Sequence, residues 1–172
     1  MKTDIKQGIA ADNRITILWK RTLELWAFTA IKSPMIFFVR PFITHLDDSR
    51  TQVLLKLNRK NKNPYGSMYF GSLTVGAEVV PGITVVTSSR QLKIPVSFLV
   101  KKFSGTYELK ADSDMTFVST DNASIKQAII DSSAEGIAKT LNITVNAYKK
   151  NADDIAASFD MEISLKAKKS KS

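Results

Sequence analysis

Between Met68 and Val86 the chain reads MYFGSLTVGAEVVPGITVV, and Glu78 is the only charged residue in that run. Read as a helix starting near Ser67, it places Met68, Phe70, Leu73, Val75, Ala77, Val79 and Val80 on every side. A helix that is apolar all round is buried all round. The rest of the chain must therefore enclose this segment. Pro81 and Gly82 are expected to kink or interrupt it, with the following ITVV free to carry the element on.

The enclosing material reads as antiparallel strands. TQVLLKLN puts Val53, Leu55 and Leu57 on one face, and KIPVSFLVKKF does the same for Ile94, Val96, Phe98 and Val100. ADSDMTFVS sets Ala111, Ser113, Met115 and Phe117 opposite Asp112, Asp114, Thr116 and Val118. TLNITVNAY alternates Leu141, Ile143, Val145 and Ala147 with polar partners. The clearest strand is the last. Ile155, Ala157, Phe159, Met161, Ile163, Leu165 and Ala167 face one way, while Ser158, Asp160, Glu162, Ser164 and Lys166 face the other. Two further helices are expected. An amphipathic one with two tryptophans spans about 13–33, and Pro34 and Pro41 close that region around MIFFVR. The other runs from about Asn122 to Ala134, with Asp121 or Asn122 as N-cap and Gly136 as stop. The expected class is α+β: one domain over 1–172, with a sheet curled around a central helix. An open sheet covering one side only would leave that helix half polar.

Composition narrows the function. The 172 residues fit one domain, and 44% hydrophobic content supports a core. Without cysteine there is no disulfide framework and no thiolate chemistry. The single histidine, His45 in FITHLDD, rules out a multi-histidine metal site and disfavours a Ser-His-Asp triad. It reads as an ordinary strand-end residue near a turn, and no metal is expected. The net charge of +9 is compatible with nucleic acid, a membrane surface or a phosphorylated ligand. No basic stripe carries interleaved exposed aromatics, so nucleic acid is not the expected partner. Part of the excess lies in the closing KAKKSKS, whose end over about 168–172 is a basic tail expected to fray. Lys20, Arg21, Glu24 and Lys32 interrupt the apolar N-terminal stretch, so no membrane span is expected there. No short apolar core with a cleavage site precedes it, and the expected location is the cytoplasm.

The residues leading into the central helix carry a resemblance. Asn63, Gly66, the triplet Tyr69-Phe70-Gly71 and Glu78 are spaced as in the acyl-CoA thioesterases related to the phenylacetate-degradation thioesterase. That group has Asn, Gly three residues on, His-Gly-Gly, then an acid seven residues after the last Gly. Tyr69-Phe70 stand where the group has His-Gly. Over about 13–168 the chain is more similar to an uncharacterised branch with an N-terminal helix. The resemblance implies the hotdog fold, a curved antiparallel sheet wrapped around a central helix. It also implies a coenzyme A thioester as substrate with no separate cofactor. Glu78 would be general base or nucleophile, the Gly71 amide would polarise the thioester carbonyl, and Asn63 would orient water or the carbonyl.

The residues support parts of this and leave others open. A carboxylate held away from water is a stronger base, which suits Glu78 to activating water or attacking the thioester. A buried glutamate satisfied by a core hydrogen bond or an interface partner is the competing reading. Gly71 lies where helix N–H groups lack partners and the dipole favours negative charge, but a small residue there also serves close packing. Asn63 could equally be a loop residue ahead of Pro64. Seven helical residues span about 10 Å, whereas one carbonyl must lie about 3 Å from both donor and base. Gly71 and Glu78 of one helix therefore cannot easily serve the same carbonyl. A two-fold homodimer is expected, with a tetramer as the further option. Gly66, Tyr69 and Phe70 would line the substrate site, with Tyr69 either donating from its hydroxyl or filling the tunnel. Arg59, Lys60 and Lys62 would meet the phosphates of coenzyme A, or be solvated loop charges. Arg90, Lys101 and Lys102 are further phosphate candidates. Ser67, Ser72 and Thr74 have no nearby histidine and are given no nucleophile role. The missing histidine argues against a hotdog dehydratase. A non-catalytic acyl or lipid binder is the rival reading, motivated by Tyr69-Phe70.

Overall fold

A computed structural model describes residues 2–150 and 152–168, with side chains described from residue 15 onward. The basic tail therefore lies outside the described residues from position 169 on. The order is α1 (Lys2–Lys32), α2 (Pro34–Val39), β1 (Phe42–Leu46), β2 (Thr51–Leu55), α3 (Phe70–Leu92), β3 (Val96–Tyr107), β4 (Met115–Ser119), α4 (Asn122–Glu135), β5 (Lys139–Lys149) and β6 (Ile155–Ala167). The strands form one six-stranded sheet in the order β1-β2-β4-β5-β6-β3, antiparallel at every pairing. The central helix α3 lies against its inner face and touches β2, β3, β4 and β5, with α2 and α4 flanking it.

Alternation made the strands legible, and most inward residues expected of β2, β4 and β5 are buried, although Leu141 is half-buried and Leu57 lies beyond the end of β2. Val53, Leu55, Met115, Phe117, Ile143, Val145 and Ala147 join Phe159, Met161, Ile163 and Leu165 of β6 in the core. Helix α3 approaches the sheet closely at Gly76, where an added Cβ would stand 2.6 Å from Phe117 Cζ and 2.8 Å from Leu55 Cδ1.

Several expectations are corrected. Ile155 does not share the inward face of β6. The register shifts between Ala147 and Tyr148, so Ala147 pairs with Ala157 and Tyr148 with Ile155. That bulge inserts Ala156, leaves it buried beside Ala157, and turns Ile155 outward. The strand expected from Ala111 begins only at Met115. Its lead-in makes other contacts: the Ala111 carbonyl accepts from Met68 N–H (2.7 Å), and Asp114 Oδ1 accepts from Leu57 N–H (2.9 Å). The helix expected from Ser67 starts at Phe70, because Met68 is held in a bridge with Lys62. Neither Pro81 nor Gly82 ends it. A mid-helix proline costs about 3 kcal/mol, but burial of Val79, Val80, Ile83 and Val85 around it is worth more, at roughly 1.5–3 kcal/mol each. MIFFVR, expected only to close the first helix, includes the short helix α2.

The largest correction concerns α3 itself. Within one chain it is not enclosed all round. Phe70 and Val86 are exposed, and Thr74, Glu78 and Gly82 are half-buried. These residues recur about every four positions, so they form one stripe along the helix that the sheet does not reach. This helix is also the one described helix long and apolar enough to cross a membrane by length and composition, and over half of the relevant window is buried in the fold.

The two edges of the sheet differ. At β1 the edge is covered by α1: Thr22 Oγ1 accepts from Ile43 N–H (3.1 Å), and Trp26 Nε1 donates to the Pro41 carbonyl (2.8 Å). At the other edge, among the described residues, β3 (twelve residues) pairs only with β6.

Candidate active site

The loop before α3 is built from asparagines. Buried Asn61 accepts at Oδ1 from Asn58 N–H (2.8 Å), donates from Nδ2 to the Lys56 carbonyl (2.9 Å), and offers its own carbonyl to Tyr69 N–H (2.7 Å). Tyr69 is the N-cap of α3, so Asn61 fixes where the helix starts. Sequence reasoning did not single out Asn61. The available signal was Asn58, Asn61 and Asn63 within six positions, a density typical of side chains that bond their own backbone.

Asn63 organises the next turn. Its Oδ1 accepts from Tyr65 N–H (3.0 Å) and Ser67 N–H (3.1 Å), and its Nδ2 donates to Ser67 Oγ (3.0 Å). Gly66 closes that turn at φ +79°. Both ends of the Asn63 amide are thus engaged within residues 63–67.

At the helix start, Ser72 and Leu73 N–H both donate to the Tyr69 carbonyl (2.9 and 3.2 Å). Among the described residues no acceptor meets the Gly71 N–H, as expected for the first turn of a helix. The Tyr69 ring lies against Gly71, where an added Cβ would stand 2.6 Å from Tyr69 Cε1. Tyr69 and Phe70 rings sit 4.7 Å apart and both are exposed. Position 71 therefore accepts no side chain while Tyr69 keeps this rotamer.

Glu78 lies two turns on, about 10 Å along the axis. It is half-buried rather than sealed from water, and among the described residues its carboxylate has no hydrogen-bond or ion-pair partner. The largely desolvated setting expected of it is not made by one chain. The structure brings Asn63, Gly66, Tyr69, Phe70 and Gly71 together at the head of α3 and places Glu78 further along the same open stripe.

The basic candidates divide. Arg59, Lys60 and Lys62 are exposed on the loop before α3, and Lys60 Nζ lies 5.9 Å from the Phe38 ring centre. Arg90 is twelve residues beyond Glu78, about 18 Å along the helix, and its guanidinium meets Glu24 (3.5 Å). Lys101 pairs with Glu162 (3.5 Å) across β3 and β6. His45 sits in β1 with Nε2 2.6 Å from Asp47 Oδ2, beside the β1–β2 turn. Among the described residues no cluster of His, Cys, Asp or Glu could hold a metal ion.

A cavity of about 160 Å³ lies elsewhere, near the C-terminal half of α3. Leu18, Arg21, Leu46, Thr84, Ser88 and Asn122 are among its walls, and no residue of the loop-to-Glu78 motif lines it. Beside it a buried polar knot ties α3, β2 and α4: Thr51 and Thr84 hydroxyls meet at 2.8 Å, and Asn122 Nδ2 donates to Thr51 Oγ1 (3.0 Å) and the Asp47 carbonyl (2.7 Å).

An antiparallel sheet embracing one long helix, preceded by a helix over the β1 edge, is the hotdog fold. The chain matches a Chlorobaculum tepidum protein of unknown function with TM-score 0.74 at 13% identity, over 88% of this chain and 97% of that one. A Pseudomonas aeruginosa protein of unknown function, described as a probable thioesterase, matches with TM-score 0.70 at 19% identity, over 85% and 96%. A Haemophilus influenzae thioesterase matches with TM-score 0.57 at 9% identity, over 77% and 82%. At these identities the likeness establishes the fold. No curated protein matches the chain. Over residues 22–165 it matches the family described as Domain of unknown function (DUF4442), and the chain belongs to that family.

Proposed function

We propose that this protein is an acyl-CoA thioesterase acting as a homodimer, with each site shared between two copies of α3. The observation that carries the reading is the open stripe of α3. It presents an unpaired carboxylate, Glu78, and at its head the free Gly71 N–H. In one chain the two are too far apart for a single carbonyl. Pairing of two such stripes in opposite directions would set Gly71 of one copy near Glu78 of the other, and would remove both from water. The unpaired edge of β3 supports the same assembly, since a long free edge tends to be covered in a native protein.

In this reading Glu78 takes a proton from water as the oxygen attacks the thioester carbon. The carbonyl oxygen gains negative charge and is met by the Gly71 N–H. The intermediate then expels coenzyme A thiolate, which recovers the proton from the Glu78 carboxyl. Direct attack by Glu78 would instead give a mixed anhydride that water cleaves. Fold neighbours described as thioesterases support the activity class. Arg59 and Lys62 would meet coenzyme A phosphates beside the site, whereas Lys60 is turned toward Phe38, and the cytoplasm is the expected location of such a substrate.

The test is hydrolysis of a panel of acyl-CoA thioesters. Glu78→Ala should lower kcat by about 10²–10⁴, and equal rates in the two proteins would remove Glu78 from the mechanism. The Tyr69 ring seated on Gly71 favours one rival, a binder that holds a thioester without cleaving it. A stable, unhydrolysed acyl-CoA complex in native mass spectrometry supports the binder, whereas turnover excludes it.

A further inference from the structure

From residue 15 to the end of α2, side chains that the fold does not use point outward. Phe28 is 58% exposed, Ile31 80%, Met35 66% and Phe38 49%. The side of α1 that meets the body of the protein is instead partly polar. Thr22 and Thr29 are buried there, each with its hydroxyl donating to a carbonyl one turn back, Leu18 and Leu25 (2.9 and 2.7 Å). The outer apolar residues are thus not a core-facing stripe, and a concentration of large exposed apolar side chains marks an interaction surface.

Charge chooses the partner. Between residues 15 and 46 the only acid is Glu24, and it is met by Arg21 (3.3 Å) and Arg90 (3.5 Å). Lys32 stands in the last turn of α1, and the Arg40 guanidinium lies 5.1 Å from the Phe37 ring centre. Lys60 sits over Phe38. Apolar and aromatic side chains bordered by cations fit the headgroup layer of an anionic bilayer, where rings and aliphatic groups enter and lysines reach the phosphates. A second copy would oppose cation to cation. The surface also flanks the β1 edge, at the other end of the sheet from β3, so a dimer formed along β3 and α3 would leave it free.

We infer that the outer face of α1 and α2, with the Lys60 loop, docks this protein on anionic membrane surfaces without spanning them. The loop that holds Lys60 also carries Asn61, which fixes Tyr69 at the head of α3, so the docked face adjoins the open stripe.

The experiment is co-sedimentation of the full chain with vesicles of equimolar phosphatidylglycerol and phosphatidylcholine, against phosphatidylcholine alone, at low and high salt. Binding is expected to the anionic vesicles, to weaken with salt, and to fall about ten-fold or more in Lys32→Glu/Lys60→Glu. Ile31→Ser/Phe38→Ser should weaken it about ten-fold as well. These side chains are exposed, and an unchanged thermal transition checks that each variant folds. Absence of binding to anionic vesicles overturns the inference, as does binding that survives the serine pair. Self-association lost in the serine pair, without vesicle binding, would assign the face to a second copy and overturn it equally.

Discussion

Gly76 shows how a single hydrogen atom sets the spacing of helix and sheet. Alanine there would gain about 1 kcal/mol in helix propensity. Its methyl would meet Phe117 and Leu55, both fully buried and unable to withdraw. Overpacking of this kind costs about 1–3 kcal/mol, so Gly76→Val, with two further carbons, should be clearly destabilising. Thermal denaturation should show a midpoint lower by about 3–10 °C, and an unchanged midpoint would contradict the close approach. Asp47 makes a second prediction at this scale. Its carboxylate accepts from the Ser49 hydroxyl (2.7 Å), the Arg50 and Ser49 N–H groups (3.0 and 2.9 Å) and His45. These bonds, the Ser49 hydroxyl foremost, hold it far below its ordinary value of 3.8. A depressed carboxyl contributes stability that is complete above its unfolded value and is lost as pH falls through the folded one. The Asp47 carboxyl carbon shift should therefore stay flat from about pH 5 to about pH 3, where a free aspartate titrates. A midpoint near 3.8 would show that the turn is not held this way.

At the scale of elements, α3 and β3 are each half-satisfied. The sheet covers one side of α3, and β6 covers one edge of β3. If a second copy completes both, a charge on the open stripe should prevent it while sparing the single chain. Val86 is 48% exposed, so Val86→Asp should leave the fold intact. Light scattering should give twice 19.1 kDa for the wild type and 19.1 kDa for the variant. A wild type that remains a monomer at micromolar concentration would remove the shared site. The elements also show what patterning makes legible. β2, β4, β5 and most of β6 follow from alternation because one face of each meets the core. Ile155 departs from the alternation because a bulge changes its phase without leaving a mark in the sequence. Helix α3 starts three residues later than its apolar pattern suggests, since Asn61, across the loop, and Ala111, distant in sequence, bond Tyr69 and Met68 out of the helix.

For the whole molecule, the sequence determined the class of fold. An apolar helix with one acid, and strands that alternate over their length, permit few arrangements other than a sheet around a helix. It also determined which residues stand at the head of that helix, since local spacing fixes Asn63, Gly66, Gly71 and Glu78 relative to one another along the chain. Tertiary structure decided what each of them meets. It committed the Asn63 amide to its own turn, laid the Tyr69 ring on Gly71, and left Glu78 half-exposed and unpaired on a stripe the sheet does not cover. It also turned Phe28, Ile31, Met35 and Phe38 outward while Leu18, Thr22, Leu25 and Trp26 hold α1 against the body of the protein. The reason is physical. Periodicity records that a residue avoids water, but not whether its cover comes from its own chain, from another copy or from a lipid surface. Only the number of strands that reach a helix, and the direction each side chain takes, separates those cases.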